Sequence, residues 1–230
     1  MRTAAVLPVK NFGSAKQRFG ALLGAGSRHA LAQAMFMDVL ASLRRVSGVQ
    51  HIVIVASEPN VEFAADEQVV ILEDEAQEGQ SSAALAGIRW AIGSGFDRVL
   101  MVPGDTPLLS AEEVDALLDG AEADGTAVVI VPDRHDTGTN ALLLRPPRVI
   151  EPSFGPGSLE RHVAAAQAAG VSHRIERVPS LAFDVDTADD LAVVSAAIED
   201  QRGAAPRTRG ALRQLDRAGA RRHQPAGANS

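Results

Sequence analysis

The stretch Arg98-Val99-Leu100-Met101-Val102-Pro103-Gly104-Asp105-Thr106-Pro107 decides the fold. Its apolar run from Val99 to Val102 is unbroken, and a Pro-Gly turn bearing a carboxylate follows at once. A short continuous apolar run bounded in this way reads as a strand buried on both faces, the kind that a parallel sheet contains. Just before it, Ser81–Gly95 carries Leu85, Ile88 and Ile92 at helical spacing. A helix feeding a buried strand is half of a βαβ unit.

The same alternation continues outward in both directions. Upstream, Ala4–Val9, His51–Ala56 and Val69–Leu72 read as strands. Between the first two lies a helical pattern running to about Val46, with Leu31, Met35, Val39 and Leu43 on one face. Ser27 is its expected N-cap, and Gly24-Ala25-Gly26 the loop before it. Downstream, Ala127–Val131, Asn140–Leu144 and His173–Val178 read as strands, and Ser158–Ala169 and Asp190–Ile198 as helices. The fold class is α/β, with a mainly parallel sheet. From Gly203 to Ser230 the chain is Arg, Ala, Gly and Pro with few large apolar side chains, which predicts a disordered basic tail over residues 201–230 behind one domain over residues 1–200. An inert solvated extension is favoured for it over one that binds nucleic acid or phosphate.

Composition narrows the function classes. The chain has 230 residues, is 46% hydrophobic and carries a net charge of -7. It has no basic patch before the tail, so nucleic acid is a poor candidate partner. Cysteine is absent, which removes disulfides, thiolate metal sites and cysteine nucleophiles together. No apolar run approaches the roughly 20 residues of a membrane span, and the N-terminus does not read as a signal peptide, so a cytoplasmic protein is expected. The six histidines show no pair at zinc-ligand spacing, and no G-x-S-x-G elbow is present.

In an open parallel sheet, ligands sit beyond the carboxyl ends of the strands, and the segments just after the strands are here unusually polar. Lys10, Lys16 and Arg18 follow the first strand, three cations that would suit a triphosphate or simply a solvated loop. Asp105 follows the fourth strand, and Asp184 and Asp186 alternate as on an extended segment, which points them the same way. Hard carboxylate oxygens from two strand ends suit Mg²⁺. Against the metal, Asp105 would only open a turn before Pro107, and Asp186 or Thr187 would only cap the last helix. The metal reading is preferred for Asp105, and both readings stand for Asp186. Thr137-Gly138-Thr139-Asn140, with Phe154-Gly155-Pro156-Gly157-Ser158, reads as an anion site at a helix N-terminus, or as a plain helix entry capped by Ser158.

Taken in order, these segments resemble the 2-phospho-L-lactate/phosphoenolpyruvate guanylyltransferase family of deazaflavin coenzyme F(420) biosynthesis. The likeness spans about residues 4–198. Its pieces are Pro8-Val9-Lys10 with Ala15-Lys16-x-Arg18, Gly104-Asp105-x-Pro107, Gly138-Thr139-Asn140-Ala141-Leu142, Phe154-Gly155-x-Gly157-Ser158 with His162, and Asp184-x-Asp186-Thr187 with Asp190-Leu191. The resemblance implies a GT-A-like three-layer fold of the nucleotide-diphospho-sugar transferase type, with a mainly parallel mixed sheet. It implies a nucleotidyltransferase using GTP, Mg²⁺ and a small phosphorylated three-carbon acid. It places the acid on Thr139, Asn140, Gly155 and Ser158, and the nucleotide on Pro8, Lys10, Lys16, Gly79 and Ser82. Lys10, Lys16, Arg18 and Asp105 carry catalysis, and Asp105, Asp184 and Asp186 the metal. Where relatives commonly have Gly-Leu-Asn, this chain has Glu78-Gly79-Gln80-Ser81-Ser82, which bears on the preference for guanine. Competing readings are a molybdopterin or sugar nucleotidyltransferase and, outside catalysis, a nucleotide-sensing domain. A homodimer is the default expectation for oligomeric state.

Overall fold

The computed structural model describes residues 1–9, 12, 23–58, 61–74, 79–201 and 203–222. Lys10, Lys16 and Arg18 lie outside them. Seven strands form one sheet: β1 (Thr3–Val9), β2 (His51–Ala56), β3 (Val69–Glu73), β4 (Arg98–Met101), β5 (Val128–Pro132), β6 (Thr139–Leu144) and β7 (His173–Ile175). Their spatial order is β3-β2-β1-β4-β6-β5-β7. Only β6 runs antiparallel to its neighbours. The chain winds outward from β1 to β3, then crosses back to place β4 on the other side of β1. The strand order therefore switches between β1 and β4, which opens a crevice at their carboxyl ends.

Alternating side chains divide the sheet between two helical layers. Leu7, Ile52, Ile54, Leu100, Val129 and Leu143 pack with Phe36, Val39 and Leu40 of α1 (Ala25–Leu43) and with Val114, Leu117 and Leu118 of α3 (Ala111–Asp124). Val6, Val53, Met101, Ile130 and Leu142 pack on the other face with Ala84, Ile88 and Ala91 of α2 (Gln80–Gly93) and with Ala166 of α4 (Ser158–Ala168). The result is the expected three-layer α/β architecture.

Three features depart from the sequence reading. First, α1 begins at Ala25 behind Gly24, so Ser27 lies inside the helix rather than at its N-cap. Second, α3 was not anticipated. It opens on Ser110, whose side chain accepts from the Glu113 N–H, and ends on Gly125 in the left-handed region at φ 71°. Third, the expectation of a disordered tail is corrected over its first part, because Pro206–Arg222 forms helix α6. The buried Asp38 of α1 accepts from the Thr208 N–H and hydroxyl, both at 2.8 Å, and from the Arg207 N–H at 3.2 Å. Those bonds cap α6 from another helix and satisfy a carboxylate that would be costly to bury alone. Ala205, Leu212 and Leu215 then join a third apolar cluster with Leu31, Met35 and with Val194 and Ile198 of α5 (Ala188–Asp200). Local composition judged the segment too polar to order; contacts some 170 positions away in sequence order it.

Candidate active site

A cleft of about 580 Å³ lies across the carboxyl ends of β1, β4 and β5. Pro8 and Val9 bring β1 to it, and Gly104 and Asp105 follow β4. The antiparallel course of β6 puts its first residues, Thr139 and Asn140, on the same edge. The pairing of β5 with β6 steps from Val131–Ala141 to Pro132–Thr139, which leaves Asn140 as the extra residue of a bulge. Pro132 has no N–H to continue the ladder, and bulges of this kind re-aim side chains beside functional sites. Asp133 folds the loop between the strands, accepting from the N–H groups of His135 at 3.0 Å and of Thr137 and Gly138 at 2.9 Å. A Cβ on Gly138 would sit 2.6 Å from Asp133 Oδ2, so any larger residue there would displace the carboxylate that folds the loop.

Asp105, Asp184 and Asp186 all line the cleft. The Val185 N–H donates to the Asp105 carbonyl at 3.2 Å, joining the two segments. Val185 itself is buried in the third cluster, so the carboxylates on either side of it turn outward. Burial, and then the neighbouring Asp105 carboxylate, push Asp184 up to about 6, while a hydrogen bond from Asn140 opposes the shift. Both amide hydrogens of Asn140 are committed, to the Leu181 carbonyl at 2.8 Å and to Asp184 Oδ1 at 3.2 Å. Asn140 therefore holds Asp184 through its amide nitrogen while it lines the cleft. Among the described residues, no group of three or more His, Asp or Glu side chains closes around one point as a ready metal site. Thr187, not Asp186, caps α5: its hydroxyl accepts from the Asp190 N–H, and Asp190 accepts from Thr187 N–H at 2.7 Å and Asp186 N–H at 3.1 Å.

Thr139, Gly155, Pro156 and Ser158 form another part of the cleft wall. Gly157 is the N-cap of α4, at φ 72°, and supplies no side-chain cap. Ser158 is thus the first helical residue and not the cap. Its Oγ is buried without a hydrogen-bond partner among the described residues. Such an orphan hydroxyl costs free energy unless a ligand meets it. Gly79, at φ 103°, begins α2 in the same way, and it lines the cleft with Gln80 and Ala83. Ser82 does not line it: at about 100° per residue, the helix turns that side chain away from the face that Gln80 and Ala83 share.

Two residues behind this wall were not given roles on sequence grounds. His162 is fully buried, its Nδ1 lies 2.9 Å from Thr139 Oγ1, and its Nε2 accepts from the Ser153 N–H at 2.8 Å. Burial, with the Arg161 charge beside it, lowers its pKa to about 4. The Arg161 guanidinium donates to the carbonyls of Ser153 at 2.9 Å, Phe154 at 3.2 Å and Pro156 at 2.5 Å. Thr139 and His162 stand 23 positions apart, so no local pattern joins them.

A reversed strand beside the β1/β4 switch, with carboxylates and a helix N-terminus lining one cleft at the strand ends, defines an α/β protein that binds its ligand at a topological switch point. The fold agrees with a solved chain from Desulfovibrio desulfuricans G20, provisionally assigned as a nucleotide-diphospho-sugar transferase, at a TM-score of 0.73 and 21% identity over 95% of this chain and 97% of that one. The family model described as "Guanylyl transferase CofC like" matches residues 3–216. The chain is 46% identical to the phosphoenolpyruvate guanylyltransferase of Conexibacter woesei, over 94% of this chain and 97% of the relative. It is 35% identical to the 2-phospho-L-lactate guanylyltransferase of Methanothermobacter thermautotrophicus, over 83% of each. The chain belongs to the CofC-like guanylyl transferase family, and is a nucleotidyltransferase. No helix among the described residues is long and apolar enough to cross a membrane.

Proposed function

We propose that this enzyme joins GMP from GTP to the phosphate of a small phosphorylated acid, phosphoenolpyruvate or 2-phospho-L-lactate, and releases pyrophosphate, as a step in coenzyme F(420) biosynthesis. The observation that carries the reading is the buried Ser158 hydroxyl, without a partner among the described residues, at the N-terminus of α4 that no side chain caps, in the cleft that Asp105 and Asp184 also line. An anion is what such a helix end favours, and the relatives' names supply acids of matching charge.

A monoester phosphate has a second pKa near 6, so at neutral pH it is already largely dianionic and needs no general base. One of its oxygens attacks the α-phosphorus of GTP. The new P–O bond forms as the bond to the β-phosphoryl oxygen breaks, and that electron pair leaves with pyrophosphate. Thr139, Gly155 and Ser158 hold the acid in line, so the rate gain is mostly alignment. Lys10, Lys16 and Arg18, following β1 in sequence, offset charge on the triphosphate, and Pro8 and Gly79 border the nucleotide. Asp105 and Asp184 fit a hard divalent cation, because they present carboxylate oxygens to one cleft, where burial and then the neighbouring Asp105 charge raise Asp184, and Asp186 lines the same cleft. Mg²⁺ bound there would draw negative charge from the phosphate oxygens.

Pyrophosphate release is the test, with GTP, Mg²⁺ and phosphoenolpyruvate, 2-phospho-L-lactate or 3-phosphoglycerate offered separately, and CTP and ATP as controls. Release that depends on one acid and on GTP is expected. Equal release with CTP, or none with any acid, would refute the reading.

A further inference from the structure

We propose that Arg161 and His162, neighbours on α4, are positioning residues that set the direction of the donors gripping the acid: His162 turns the Thr139 hydroxyl into a donor toward the cleft, and Arg161 turns the Gly155 N–H the same way. This rests on the reading that Thr139 and Gly155 hold the acid.

The assignment follows from one hydrogen bond. The Ser153 N–H can only donate, and it points at His162 Nε2 from 2.8 Å, so Nε2 carries no proton. A fully buried ring next to Arg161 stays neutral at physiological pH, which leaves its one proton on Nδ1. Nδ1–H then donates to Thr139 Oγ1 at 2.9 Å. A hydroxyl that accepts there has its own hydrogen left for another partner, and Thr139 lines the cleft. The opposite tautomer would make Thr139 a donor to the ring and present only lone pairs to an anion. T-shaped contact with Phe154, at 5.3 Å between ring centres, keeps the imidazole in that orientation.

Arg161 acts on the backbone by the same logic. Its guanidinium takes the Phe154 and Pro156 carbonyls, and Nε donates to Ser153 Oγ at 2.8 Å. In a trans peptide the C=O and the next N–H point in opposite directions. The N–H groups of Gly155 and Gly157 therefore turn away from the guanidinium. Gly155 and Pro156 line the cleft whereas Arg161 does not, so the guanidinium lies behind the loop and the Gly155 N–H faces the front. One turn of α4 thus fixes a side-chain donor and a backbone donor around one anion.

Steady-state kinetics of His162→Leu, His162→Asn, Arg161→Met and Thr139→Val test this. His162→Leu should raise the KM for the acid about 10- to 100-fold, the size of a lost hydrogen bond to a charged group, and leave the KM for GTP within about twofold. His162→Asn, whose amide reaches the Nδ1 position and donates to Thr139, should recover most of that loss. In a Thr139→Val background, His162→Leu should add little, since the two act as one unit. Equal shifts in both KM values, no recovery by Asn, or multiplying effects of Thr139→Val and His162→Leu would overturn the proposal. Where His162→Leu does not fold, the exposed Arg161→Met carries the test, with about a 10-fold rise in acid KM expected from a lost backbone donor; an unchanged acid KM would overturn the proposal. A wild-type enzyme without acid-dependent turnover would refute the proposed reaction instead. Calorimetric titration of phosphoenolpyruvate into wild type and the same variants then reads the pocket alone, with weakening expected in His162→Leu, Arg161→Met and Thr139→Val and most of the affinity kept in His162→Asn; equal affinity throughout would contradict it.

Discussion

Helices α4 and α5 begin in opposite ways. Thr187 and Asp190 close the start of α5 with a reciprocal capping box, so its first N–H groups are satisfied within the chain. Helix α4 begins on Gly157 with no side-chain cap; its Ser158 and Leu159 N–H groups donate to the Gly155 carbonyl at 3.0 Å and the Thr137 carbonyl at 3.3 Å, and its first side chain is a buried hydroxyl with no partner among the described residues. The other helices sort in a similar way. Ser110 caps α3 and Asp38 caps α6, whereas α2, like α4, begins on a positive-φ glycine and lines the cleft. Helix α1 also begins without a side-chain cap, at Gly24. The helices that begin at the cleft, α2 and α4, thus start on positive-φ glycines that put no capping side chain between the helix end and a ligand.

Substitutions can break this contrast. The largest effect is expected from Asp105→Asn in the same cleft, which should lower turnover about 100- to 1000-fold, in line with loss of a principal charge-stabilising group, while the melting temperature stays within a few degrees. Near-normal turnover would remove Asp105 from the chemistry. Ser158→Ala should raise the acid KM about tenfold and leave stability unchanged or improved, because it deletes an orphaned hydroxyl. A loss of stability without a change in KM would make Ser158 an ordinary helix residue.

Asp184 gives a pH test with a definite sign. Its carboxyl titrates near 6 when folded, above its ordinary value of 3.8, so the folded state holds more protons in between. Stability of the metal-free protein should fall as pH rises from about 4 to about 6, and Asp184→Asn should flatten that fall. Melting curves across this range, with and without Mg²⁺, check it; a profile unchanged by the substitution would contradict the shift. The smallest effect belongs to the closed helix. Thr187→Ala should cost about 1 kcal/mol in denaturant unfolding and leave both KM values as they were.

Much of this was legible in the chain before any fold was known. Apolar runs such as His51–Ala56 and Arg98–Met101 mark strands because parallel strands are buried on both faces, and polar residues after them mark the edge where ligands sit. Direction was not legible, since nothing in Thr139–Leu144 states that β6 runs backwards, yet that reversal brings Thr139 to the cleft. Helix α3 escaped because six acids dilute the stripe of Val114, Leu117, Leu118 and Ala121, although Ser110, Glu113 and Gly125 were usable start and stop signals. Helix α6 escaped because Asp38, its cap, is remote in sequence. The roles of Arg161 and His162 escaped for the same reason, since each acts through partners that only the fold brings near.

The most direct test of the account is a crystal structure with phosphoenolpyruvate and a non-hydrolysable GTP analogue. The account predicts an anionic oxygen of the acid about 3 Å from both Ser158 Oγ and Thr139 Oγ1, with the triphosphate between that acid and Asp105. An acid bound elsewhere, with the Ser158 hydroxyl still unmet, would contradict it.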